Sequence, residues 1–101
     1  ERHGMQTPQL SHACEYETSM MLFLHGKIMR MERVTASPPL VDSPFFHSEH
    51  GGRLQVAKRM ATWTSTGAMG GPQHATPEKG ESLLNAIVDE VVACLKDFAT
   101  W

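Results

Sequence analysis

Apolar positions in this chain form one long periodic stripe towards the C-terminus and one dense block near residue 20, with little regular pattern between them. From Leu84 onward, Ile87, Val88, Val91, Val92, Leu95 and Phe98 recur in steps of three and four. That spacing lays side chains along one face of a helix. Asp89, Glu90, Lys96 and Asp97 fall largely elsewhere on it. Thr76 is a capping residue type, Pro77 fits a first helical position, and Glu78 stands where a carboxylate favours the helix dipole. The pattern predicts a helix over 77–98.

The apolar block runs from Met20 to Leu24 and lacks a polar face, so it predicts a helix buried on most sides. Ser11 is a suitable N-cap, and Glu15 and Glu17 fall in the early turns. This helix is expected to begin near Ser11 or His12 and to stop at Gly26. Residues 1–11, with Gly4 and Pro8, read as a lead-in loop. Val34 to Ser37 reads as extended chain ahead of Pro38 and Pro39, which with Pro44 forbid a helix. Phe45 and Phe46 are candidates to anchor that loop on the core. Leu54 to Ala57 and Met60 to Thr64 are short strand candidates. Gly67, Gly70, Gly71 and Pro72 mark a loop shaped by backbone demands.

A length of 101 residues allows one domain with a modest core. The apolar fraction of 41% and charged fraction of 20% are ordinary for a globular chain. The formal net charge of -2 gives no basic face for nucleic acid, and no polybasic run suggests an anionic membrane surface. No apolar stretch reaches the ~20 residues of a membrane helix, and a signal peptide is not expected, since residues 1–11 lack a hydrophobic segment. Cys14 and Cys94, far apart, read as reduced thiols of a cytoplasmic protein.

The densest chemistry is His12, Glu15 and Glu17. On a helix, His12 and Glu15 would share a face, where they could bind a metal or hand on a proton. Against this stands an N-terminal histidine beside a solvated carboxylate. Cys14 next to His12 raises a nucleophile, but a packed small side chain is the plainer reading. His47, Glu49 and His50 could hold a divalent metal, although the surrounding Gly and Pro residues favour a solvated loop. The Gly67–Gly71 loop fits neither nucleotide-binding pattern.

Two segments together carry a resemblance. They are His12-Ala13-Cys14-Glu15-Tyr16-Glu17-Thr18-Ser19 with its apolar continuation, and Gly71-Pro72-Gln73-His74-Ala75-Thr76-Pro77-Glu78-Lys79-Gly80-Glu81. In this order they resemble the C-terminal part of the creatininase family (creatinine amidohydrolases). Its pattern reads roughly His-Ala-Gly-Glu-x-Glu-Thr-Ser, then a Gly/Pro loop and Ala-Thr-x-Glu-Lys-Gly opening the last helix.

The resemblance implies an α/β chain, the C-terminal portion of a three-layer fold with a mostly parallel sheet, ending in the long amphipathic helix. It implies hydrolysis of non-peptide C–N bonds in a small-molecule amide, of cyclic amide or formamide type. A divalent metal (Zn, Mn or Fe) and a homo-oligomer go with it. His12 would take the catalytic position, binding substrate and moving a proton, with Glu15 and Glu17 supporting it from behind. Residues 1–101 would then be a partial domain, because the family's main metal ligands lie in an N-terminal half that has no counterpart here. Tight metal binding and hydrolysis by the chain alone are therefore not expected. Cys14 replaces a family glycine, Ser11 stands where several relatives carry an acid, and the tryptophans beside the creatinine pocket have no counterpart. Creatinine is accordingly not the expected substrate. The alternative of another class is a small non-catalytic module that docks a partner or a second copy through helix 77–98. A third is a single-metal protein using His47 and His50.

Overall fold

The computed structural model describes residues 3–8, 10–37 and 57–101. Three α-helices are present among the described residues: α1 (Glu15–His25), α2 (Met60–Trp63) and α3 (Pro77–Phe98). Short 3-10 turns occupy Gly26–Ile28, Met31–Arg33 and Pro72–His74. No strand occurs among the described residues. Leu54 to Val56, and Phe45 and Phe46, lie outside them; Ala57 is irregular.

The C-terminal helix spans the predicted residues. Its first turn is closed by the Thr76 side chain, whose Oγ1 accepts from the Lys79 backbone N–H at 3.2 Å. Pro77, with no N–H to satisfy, follows at the first helical position. At the other end the Phe98 and Trp101 rings meet edge to face at 5.0 Å, and Trp101 Nε1 donates to Asp97 Oδ2 at 3.2 Å.

The first helix starts later than its sequence suggests. Its cap position is Cys14, in extended geometry and without a side-chain cap bond. Ala13 sits at φ 46°, a left-handed turn that no helix can run through. Gly70 O supplies what a Ser11 hydroxyl would have given, accepting the Glu15 N–H at 2.9 Å. The helix ends at His25, as expected. Gly26, however, keeps right-handed geometry (φ -52°) and leads into a 3-10 turn, so its left-handed freedom is not used. The strand expected over Met60 to Thr64 is instead the single turn of α2. Thr62 there donates to Arg59 O through both its N–H (2.9 Å) and its hydroxyl (2.7 Å), which closes a turn rather than an extended ladder.

α1 and α3 form the principal packing pair. They cross where Gly80 faces the Ser19 backbone, and a Cβ at Gly80 would collide with the Ser19 carbonyl. The crossing therefore buries Thr18, Ser19 and Gly80 rather than the apolar block. Contrary to the sequence reading, Met21, Phe23 and Leu24 are exposed. So are Ile87, Val88, Val91, Val92, Leu95 and Phe98 on α3. At about 1.5 Å per residue, an 11-residue helix crossing the 22-residue α3 near its start cannot cover the far half. Met5 and Cys14 are the buried apolar residues among those described.

Candidate active site around the His12 turn

Three segments converge on the start of α1. The 66–71 loop lies against residues 12–15 through two backbone bonds, Met69 N–H to His12 O (2.8 Å) and Glu15 N–H to Gly70 O (2.9 Å). Gly70 has φ 91°, and a Cβ there would stand 3.1 Å from that of Cys14. Glycine is required on both counts. The lead-in segment joins through Thr7, whose hydroxyl donates to Gly70 O at 2.9 Å and whose carbonyl accepts from Tyr16 Oη at 3.2 Å. The first turn of α3 completes the cluster through Lys79.

Glu15 is the node of this arrangement and is fully buried. Its Oε2 accepts the Thr7 N–H at 2.7 Å, and both carboxylate oxygens accept the Gln6 N–H at 3.0 Å. Lys79 Nζ donates to Oε1 at 2.6 Å and to His74 O at 2.7 Å. Burial alone would raise the carboxyl pKa. The Lys79 ammonium and the two backbone donors outweigh it and bring the value from 4.5 down to about 2. Glu15 is thus a permanent anion committed to holding four segments together.

The two carboxylates singled out in the sequence therefore have different roles. Glu17 is exposed and makes no side-chain bond among the described residues. His12 is also exposed, its imidazole without a hydrogen-bond partner among the described residues. The helical His12–Glu15 pair is not formed, because His12 lies on the turn before α1 and Glu15 points into the interior. The Cys14 thiol is completely buried, which removes it as a nucleophile. Cys94 is exposed, and both cysteines are free.

A divalent metal wants three or more converging imidazole, thiolate or carboxylate donors. No such group exists among the described residues. Glu15 is already saturated by N–H donors, so the cluster as built does not fit a metal. His47, Glu49 and His50 lie outside the described residues. No helix among the described residues is long and apolar enough to cross a membrane.

What the turn offers chemically is an accessible imidazole on a backbone fixed from both sides. The sequence pattern singled out His12, Glu15 and Glu17 but not Thr7, Gly80 and above all Lys79. The available signal was Lys79 standing three residues after the Thr76 cap, which turns its side chain back towards the preceding loop.

The family model for creatininase (creatinine amidohydrolase) matches residues 1–95. No curated protein matches the chain. No solved structure matches it either.

Proposed function

The chain belongs to the creatininase family, and we propose that it supplies the His12 corner of a metal-dependent amidohydrolase site acting on non-peptide C–N bonds of cyclic amide or formamide type. One observation carries this reading. The histidine of the family-like motif is exposed on a turn that a buried ion pair and two backbone bonds immobilise.

Imidazole is the side chain whose charge ordinarily changes near neutrality, and it suits proton delivery to a leaving nitrogen. Fixing its backbone lowers the entropic cost of bringing it to substrate. The family is generally metal-dependent, and a metal polarises the scissile carbonyl and activates water. In this proposal the metal ligands come from outside the described residues, the three-layer α/β fold with its mostly parallel sheet is completed there, and the chain alone does not turn over substrate. Two free cysteines support a cytoplasmic setting.

A chimera tests the assignment. Residues 11–19 and 71–81 replace their counterparts in an intact creatininase-family enzyme, which is assayed on formamides and cyclic amides. Activity should survive in the chimera and fall about 10²–10⁴-fold on His12→Asn. Equal activity with His12→Asn, or turnover by the 101-residue chain alone with added zinc or manganese, contradicts the proposal.

The exposed apolar face of α3 favours a second reading, that of an interaction or homo-oligomerisation surface. Light scattering of the full chain decides it. A concentration-dependent mass supports docking through α3, and a constant monomer mass rejects it.

A further inference from the structure

A second feature is a cleft of about 200 Å³ that Ala13 of the His12 turn helps to line. Three sequence-distant segments wall it: Ala13 and Thr18 at the start of α1, Met29, Arg33 and Val34 from the chain after it, and Ala68 from the glycine loop. The walls are mainly hydrocarbon with a few hydroxyls. No acidic residue lines the cleft among the described residues.

Arg33 is the charged group at this cleft, and its guanidinium has no acidic partner among the described residues. The segment bearing it carries Lys27, Arg30 and Arg33 against Glu32, although the chain as a whole has a net charge of -2. A planar guanidinium presents paired donors that match a carboxylate in two-point geometry. The volume lies below the ~300 Å³ at which drug-sized pockets begin, so the occupant is small.

We propose that this cleft binds a small organic carboxylate, with the hydrocarbon part against Ala13, Val34 and Ala68 and the carboxylate on Arg33. If the hydrolytic function holds, the substrate is an amide that also bears a carboxylate, anchored beside the His12 turn. That consequence rests on the hydrolytic reading, whereas the binding itself does not.

The test is a titration of the full isotope-labelled chain with isovalerate, followed by backbone amide NMR shifts. Isovaleramide, the same shape without charge, is the control ligand. Saturable shifts should centre on Ala13, Thr18, Val34 and Ala68. Affinity should fall about tenfold or more in Arg33→Gln, and for isovaleramide, as expected for loss of a charged hydrogen bond. Arg33 is exposed, so Arg33→Gln should leave the remaining spectrum in place. A Lys27→Gln/Arg30→Gln variant should bind as the parent does. Absence of saturation, equal affinity for isovaleramide, or equal loss in the Lys27/Arg30 variant overturns the site. Hydrolysis by the chimera is a separate readout, so failure of either proposal is recognisable on its own.

Discussion

Replacing Glu15 by Gln should remove the buried Glu15–Lys79 ion pair and change how the stability of the chain depends on pH. Glu15 is fully buried, and Lys79 retains only 15% of its side-chain exposure. A carboxyl lowered from 4.5 to about 2 contributes ~3 kcal/mol at neutral pH, at about 1.4 kcal/mol per pH unit. The sign follows from the depressed folded value. The contribution is complete above the unfolded pKa near 4.5 and is lost as pH falls through the folded value near 2. Glu15→Gln also turns an amide N–H₂ either towards the Thr7 N–H or towards the Lys79 ammonium, a donor facing a donor, and leaves Lys79 without a charged partner. Removing one partner of a buried pair costs about 3–5 kcal/mol. Lys79→Met should cost less, because the carboxylate keeps its backbone donors. Its pH dependence should shrink, because the ammonium is the strongest influence holding the pKa down. Replacing both residues by apolar ones should not restore parental stability, since Gln6 and Thr7 would then lose their acceptor at ~1–3 kcal/mol per buried group. Urea denaturation followed by circular dichroism at pH 7, 5, 4 and 3 measures all of this. The parent should lose stability from pH 5 downward and the Glu15→Gln curve should be flatter, so that the two converge. Parallel curves over that range refute the assignment of Glu15 as the buried anion.

Two further outcomes follow from the same packing. Gly80→Ala would ordinarily favour a helix by up to ~1 kcal/mol, but the added methyl meets the Ser19 carbonyl, so a net loss of about 1–3 kcal/mol is expected in thermal denaturation; a stabilised Gly80→Ala protein contradicts the α1–α3 crossing. A thiol reagent should modify Cys94 rapidly in the native chain and Cys14 only after denaturation, and rapid loss of both thiols contradicts the buried placement of Cys14.

The C-terminal helix was legible because its determinants are local. A Thr-Pro-Glu start and a run of three- and four-residue steps specify it without reference to anything else. Its environment was not legible, since periodicity identifies the apolar face but not whether a neighbour covers it. The same gap explains Met20 to Leu24, where apolar density suggested burial while the crossing at Gly80 selected the small side chains of Thr18 and Ser19. At the His12 turn, spacing singled out three polar residues that the fold separates, with Glu15 buried and His12 and Glu17 exposed. The left-handed Ala13 and the Gly70 carbonyl, which together set the helix start, are respectively a backbone conformation and a contact more than fifty residues away in sequence. Glu15 shows this most clearly: its value as a structural anion depends on Lys79, and only the fold brings the two together.

His12 is proposed to act and Glu15 to hold, and one paired measurement tests that separation directly. For His12→Asn and Glu15→Gln side by side, kcat/KM is measured in the chimera and Tm in the 101-residue chain. His12 is exposed and has no hydrogen-bond partner among the described residues, so His12→Asn should lower kcat/KM about 10²-fold or more while stability stays within ~0.5 kcal/mol of the parent. Glu15→Gln should lower Tm markedly. Full activity in His12→Asn, or a Tm unchanged by Glu15→Gln, would contradict it.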